Sequence, residues 1–572
     1  MRFGLALQLL LCASGCTKGP PPEPRAPPPA PESSAATATA DKIVTVIGTN
    51  DLHGHVEHLD VFAGYVARVR QLRRADGGVM LVDAGDMFQG TLESNLGEGQ
   101  AVIAAFNALS YTAAALGNHD FDYGPVGEGD AAAGGDPQGA VRARLAQARF
   151  PMLSANLIER GSGRAPRWDN LHPAVLVEVA GVKVGIVGVM TAETPEIVLP
   201  AHFAGLDVTP LATAIAREAA ALRERGARAV VAVAHAGGVC TTHDDPRSEA
   251  GCNADQEINR VARELPAGAV DAIIGGHTHQ GVAHFFSGTA VAEAFALGRA
   301  FSRIDLSVSS DPRAKVSVRI FPPRLVCAGS EEPRCEPGSY EGATIQSDPR
   351  VAALVAPWRR AAAARRAERL GVQVIHAVRG AHGAESALGN WLADLLLTAT
   401  PKADVAILNG GGLRAPLPAG ELTYGQLYEC QPFDNRVGKI RLSGAEFRRA
   451  IALHLERGRH GIISIAGARV DARCSGGRLD VKLTRANGKV ISDAEQVTIA
   501  TSDYLATGGD ELFAGAGRPA PRSDLSTETL RDRLAAELRK RGGSVDGEAR
   551  GLYHADQPRV RLSKPRPMRC DE

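Results

Sequence analysis

The amino-acid sequence predicts an α/β protein, a layered α/β sandwich in its first half followed by a second α/β region. Three features point there. Short apolar runs, most of them rich in β-branched residues, recur through the first half, and each ends in a polar cluster containing glycine. Stretches of helical period, 59–73 and 211–225 among them, lie between the runs. A later strand-like stretch, 404–408, runs through Asn409 into three consecutive glycines. The 572 residues leave room for more than one domain, and 64 Lys+Arg against 64 Asp+Glu exclude the basic excess of a nucleic-acid-polymer binder. A hydrophobic content of 44% with 22% charged residues excludes wholesale disorder.

The elements follow in chain order. Residues 1–16 read as an export signal, with Arg2, an apolar run from Phe3 to Cys12 too short to span a bilayer, then small residues. Ala13-Ser14-Gly15-Cys16 resembles a bacterial lipobox, with Ala13 where leucine is usual, so Cys16 is the expected lipidation site. Ordinary cleavage after Gly15 is the alternative. Residues 17–41 carry eight prolines between Pro20 and Pro31 and read as an extended tether. The expected location is extracytoplasmic: lipid-anchored to the outer or cytoplasmic membrane facing the periplasm, or at the cell surface. The membrane is touched only through that anchor. Export permits disulfides. The spacing of Cys240/Cys252 and of Cys327/Cys335 suggests two local loops, and the full pairing stays open among seven cysteines.

Five clusters then follow five apolar runs. They are Asn50-Asp51-Leu52-His53, Asp83-Ala84-Gly85-Asp86, Gly117-Asn118-His119-Asp120-Phe121-Asp122, His235-Ala236-Gly237-Gly238 and Gly275-Gly276-His277-Thr278-His279. Sites in open α/β sheets lie beyond the carboxyl ends of strands, where all five fall. Aspartate, asparagine and histidine together offer the oxygen and nitrogen donors that divalent transition metals take. One such cluster is as well explained by a turn; five in series are not. Their number suits two metals sharing a carboxylate.

This ordered series resembles the calcineurin-like metallophosphoesterases and, among them, the two-domain 5′-nucleotidase family, over roughly residues 42–560. The resemblance implies a four-layer α/β-β-α metallophosphoesterase sandwich at 42–340, a linker helix at 341–370, and a C-terminal α/β nucleotide-binding domain at 371–565. It implies two divalent ions of Mn, Zn or Co type, one on Asp51, His53, Asp86 and His279, the other on Asp86, Asn118, His235 and His277. His279 stands where part of the family has glutamine. By the same resemblance His119 is the catalytic histidine and Asp122 its orienting carboxylate. Asp120 takes no direct role and Asp83 a turn role; for His55, His58 and His284 a surface position is expected. A phosphomonoester dianion repels hydroxide, and two cations relieve that repulsion, acidify water and align an in-line attack.

Around 350–370 an Ala/Arg-rich stretch has helix-forming character and suits the linker. Beyond it lie Asn409-Gly410-Gly411-Gly412-Leu413-Arg414, Gln431-Pro432-Phe433-Asp434-Asn435 and Ser502 to Asp510. By themselves Phe433 and Tyr504 read as core aromatics. The resemblance instead makes them a clamp on a nucleobase, with Asn409, Gly412, Arg414, Asn435 and Asp510 as further substrate contacts. Two residues depart from the family pattern: Ala384 where arginine is frequent, and Asp434 where glycine is frequent and a carboxylate is expected to crowd or repel an anion. The expected function is a metal-dependent phosphohydrolase releasing phosphate from extracytoplasmic nucleotides, with no obligate protein partner inferable. Rival readings are a 2′,3′-cyclic-nucleotide phosphodiesterase, a nucleotide-sugar pyrophosphatase and, from another class, a non-catalytic nucleotide-binding lipoprotein.

Overall fold

A computed structural model describes residues 41–127, 135–327, 335–458, 460–513 and 524–570. The signal, the candidate Cys16 and the tether lie outside the described residues, save Asp41. No helix among the described residues is long and apolar enough to cross a membrane.

The run Lys42–Thr49 is the hub of a seven-stranded sheet. On one side it is parallel to Gly77–Asp83, and Ala113–Ala115, Met152–Leu153 and Leu171–His172 continue in parallel. On the other side it pairs antiparallel with Ala300–Val308, which carries Ser317–Leu325 at the edge. A second, six-stranded sheet centres on Val182–Met190, Ala229–His235 and Ala272–Gly275.

Strand alternation makes the layers. Val44, Val46 and Met80 of the first sheet share one core with Val231, Val233 and Ile274 of the second. Ile47 and Leu81 point the other way, against the helices Leu59–Leu72 and Gln100–Leu109. Val187 and Val230 likewise pack on Leu211–Glu224 and Glu257–Glu264. Both faces of each central strand are covered, which is why these runs are apolar without interruption. Each fully buried valine or leucine contributes roughly 1.5–3 kcal/mol relative to exposure. The architecture is the α/β-β-α sandwich. Even the alanine run is a strand, with Ala113 and Ala115 between the sheets and Ala114 on the helical side.

The second half begins with the helix Pro349–Arg366, capped by Asp348, whose carboxylate accepts from Arg350 N at 2.8 Å. Its main sheet has five strands, in the order Ile463–Ala466, Val405–Asn409, Gln496–Ser502, Arg436–Ser443, Asp524–Thr529. Helices Ala387–Ala399 and Leu530–Arg541 cover one face and Gly444–Arg457 the other. The last starts in a reciprocal capping box between Ser443 and Glu446.

Both local disulfides form, Cys240–Cys252 and Cys327–Cys335, and a third joins Cys474 to Cys570 across 96 residues. Among the described residues Cys430 is the one free thiol, and it is buried. One expectation needs correction. His284 is no surface residue: it is 1% exposed, because the loop holding Thr242 and Pro246 covers its edge strand.

Candidate active site

The strands ending at Thr49, Asp83 and Ala115 are neighbours in one sheet, and those ending at His235 and Gly275 are neighbours in the other. The facing sheets therefore deliver the five clusters to one edge. Asp51, His53 and His279 form one group of converging donor atoms, and Asp86, His235 and His277 a second. His53 Nε2 lies 3.1 Å from His279 Nε2 and 3.8 Å from Asp86 Oδ2. His235 Nε2 lies 3.1 Å from that same Asp86 oxygen, 3.0 Å from Asn118 Oδ1 and 3.2 Å from His277 Nδ1. Asp86 thus stands between the two groups, and all seven sequence-predicted ligands gather there.

The turns that place them are strained. Asp51, His53, Asp86, His277 and His279 all have positive φ, from 48° to 81°. Left-handed backbone costs a non-glycine residue roughly 1–2 kcal/mol, and such outliers persist where the surroundings over-determine them. Here they do. Both oxygens of Asp51 accept from His277 N, at 3.0 and 2.8 Å, and Asn50 Nδ2 donates to one of them at 2.7 Å. Asp86 Oδ1 accepts from His119 N at 2.8 Å, and Asp120 holds the neighbouring turns through Gly117 N and Met87 N. Asp83 binds Thr49 and Gly85 N, a turn role as expected.

The donor set fits divalent cations. Asp51 and Asp86 are 0% and 1% exposed, and among the described residues neither is paired with lysine or arginine. Two buried carboxylates without such partners call for positive charge between them. Ring nitrogens supply part of it in the protein alone. Burial works against the charged form of His235, but Asp86 outweighs it and raises the imidazole to about 10. For His53 burial prevails over Asp86 and lowers the ring to about 4, leaving it neutral. Its Nδ1 is 2.8 Å from Gln89 O and that of His235 is 2.9 Å from Ala84 O. Those carbonyls take the Nδ1 protons, so the neutral His53 presents its Nε2 lone pair inward, and His235 would do so on giving up its Nε2 proton to a bound cation.

His119 adjoins this cluster, with Nδ1 2.6 Å from Asp122 Oδ2 and the ring partly exposed. Burial disfavours its charge, yet the Asp122 and Asp86 carboxylates overcome that and hold it at about 9. A protonated imidazole beside two candidate cation sites is a proton donor placed for general acid work.

A cavity of about 650 Å³ separates this edge from the second half of the chain. His119 and Asp122 line one wall; Asn409, Gly412, Arg414, Phe433, Asn435, Tyr504 and Asp510 line the other. Asp510 accepts from Asn409 Nδ2 at 3.0 Å and from the Tyr504 hydroxyl at 2.9 Å, and the Arg414 guanidinium sits 6.0 Å from the Phe433 ring. Every predicted contact residue therefore faces one space. The sequence reading missed Asn95, Tyr123, His202, Arg436 and Asp503, which line it too. Asp503 and Tyr123 adjoin predicted residues, a usable signal; nothing local marks Asn95 or His202. Nor does Asp434 project a free charge into the cavity, for the Arg531 guanidinium pairs with it.

Residues 44–281 match the family model for calcineurin-like phosphoesterases, and residues 367–516 match that for the C-terminal domain of 5′-nucleotidases. The chain belongs to the 5′-nucleotidase family. It is a phosphoesterase-type hydrolase, and the calcineurin-like members use divalent metal ions. Among its relatives, protein UshA of Yersinia enterocolitica is 26% identical over 82% of this chain and 86% of its own. A 5′-nucleotidase of Vibrio cholerae is 26% identical over 78% and 80% respectively. The fold is shared with a 5′-nucleotidase precursor of Thermus thermophilus, at a TM-score of 0.64, 22% identity and coverage of 91% and 100%.

Proposed function

We propose that this member of the 5′-nucleotidase family releases phosphate from extracytoplasmic nucleoside 5′-monophosphates. The observation that carries the proposal is a cavity with His119 and Asp122, which adjoin the candidate metal ligands, on one wall and the Phe433/Tyr504 pair on the other. Asp51, His53, Asp86 and His279 would hold one divalent ion, and Asp86, Asn118, His235 and His277 a second, of Mn, Zn or Co type. Such ions, when bound, neutralise phosphate charge and acidify water for attack. His119, when protonated, donates to a phosphate oxygen or to the departing ribose oxygen, while Asp122 holds its Nδ1 proton and fixes the ring. Phe433 and Tyr504 stack on the base, a contact tolerant of base identity. Asp510 accepts from ribose hydroxyls, and Asn409, Gly412, Arg414 and Asn435 complete the grip.

The catalytic half is assigned to 42–340 and the substrate half to 371–565. Export with a lipid on Cys16 and a tether at 17–41 is part of the same reading, supported by the lipobox-like segment and the three disulfides. The test is phosphate release across nucleoside monophosphates, 2′,3′-cyclic nucleotides and nucleotide sugars, with Mn, Zn or Co restored to metal-depleted protein. Preference for the monophosphates is expected. Release from none of them overturns the proposal, and bound metal without turnover turns it toward a nucleotide-binding lipoprotein.

A further inference from the structure

The stretch 86–95 links both walls of the cavity. It begins at the candidate ligand Asp86, and its Gln89 carbonyl holds the His53 ring. It is also where the second half of the chain docks. Gln89 Nε2 donates to Pro432 O at 3.2 Å, the Tyr428 hydroxyl donates to Gly90 O at 3.1 Å, and the Arg366 guanidinium pairs with the Glu93 carboxylate. The fourth contact joins two side chains, with Asn95 Nδ2 donating to Asp434 Oδ2 at 3.1 Å.

That contact is supported on each side. Behind Asp434, the buried Arg531 guanidinium pairs with Asp434 Oδ1 and donates to the carbonyls of Gln431 and Phe433, both at 3.1 Å. Its position is locked by the Tyr424 hydroxyl at 3.0 Å and by the Tyr428 ring at 4.3 Å. Behind Asn95, Oδ1 accepts from Gly90 N at 3.1 Å and from the hydroxyl of Tyr123, the neighbour of Asp122, at 2.8 Å. Side-chain amide and carboxylate thus complete a polar chain from the loop bearing Phe433 to the loop bearing His119 and Asp122.

We infer that Asp434 and Asn95 form a strut that holds the Phe433 loop over the catalytic edge, making both of them positioning residues for nucleoside binding. The inference rests on the proposed nucleotide activity and adds what spans the cleft. It also gives Asp434 a use, since a glycine there has no side chain with which to reach either Arg531 or Asn95.

The geometry allows an exchange test. Asn95→Asp keeps the acceptor for Tyr123 and Gly90 but sets two carboxylates against each other across the cleft. Adding Asp434→Asn restores a donor, with the new amide oxygen still facing Arg531. The measurements are calorimetric binding of adenosine, which lacks phosphate, the KM and kcat for adenosine monophosphate, and the radius of gyration by solution scattering. Asn95→Asp is expected to weaken adenosine and raise KM by about tenfold, the order of one like-charge contact, and to enlarge the particle. The double variant is expected to recover all three. Unchanged binding and size in Asn95→Asp, or a double variant no better than the single one, overturns the strut. Failure of the unmodified chain to turn over any nucleotide sinks the activity instead, and the scattering comparison still decides the strut.

Discussion

Asp86 stands 3.1 Å from His235 Nε2 and 3.8 Å from His53 Nε2, so its removal touches both candidate metal groups at once. Asp86→Ala is expected to lower bound metal at both groups, as read by elemental analysis of the purified protein; full occupancy would refute the bridging assignment. His119 contributes differently, because its hydrogen bond to Asp86 comes from its backbone N–H and removal of the side chain leaves that bond in place. His119→Ala should keep its metal while turnover falls by roughly 10²–10⁴, the usual worth of a general acid; undiminished kcat would remove it from the mechanism. His454, in the helix Gly444–Arg457, is expected to contribute to acid sensitivity. Burial, with Arg566 beside it, lowers its ring to about 3, and its Nε2 has no hydrogen-bond partner among the described residues. The folded state refuses a proton that the unfolded chain accepts below about pH 6.5. The stabilisation is therefore whole above that pH and is lost as the pH falls toward 3, at roughly 1.4 kcal/mol per unit. His454→Phe should shift the acid-unfolding midpoint to lower pH; an unmoved midpoint would contradict this.

Strands and turns account for what could be read in advance. The five clusters were legible because a buried strand is an unbroken apolar run and its polar end is abrupt, as where Val230–Ala234 meets His235. The turns are equally demanding. A Cβ on Gly117 would lie 2.2 Å from Asp86 Oδ1 and 2.4 Å from its nitrogen. Gly117→Ala is therefore expected to cost about 1–3 kcal/mol and to lower metal content together with thermal stability, both measurable on one preparation. Unaltered metal content would show that the turn can give way. Other features were not legible, for physical reasons. Phe433 and Tyr504 have the same local pattern as core aromatics, and only the fold turns them toward a cavity. The Cys474–Cys570 pair needs tertiary structure to bring residues 96 apart together. Asn95 gains its meaning from Asp434, more than three hundred residues away along the chain.

Across the whole molecule, the proposed function needs two halves presenting different chemistry to one space of about 650 Å³. The balanced count of 64 basic and 64 acidic residues says nothing of that, since the charge at the site is set by buried Asp51 and Asp86 and the cations they call for. Residues without local signature, such as Asn95 and His202, matter only at this scale. The central claim is that metal held by these seven ligands enables phosphate release from a nucleotide gripped by the opposite wall. Its most direct test is phosphate release from a nucleoside 5′-monophosphate while Mn, Zn or Co is titrated into chelator-stripped protein and bound metal is counted. The account predicts no release without metal and full release once both groups are filled; turnover by the metal-free chain, or none at full occupancy, would contradict it.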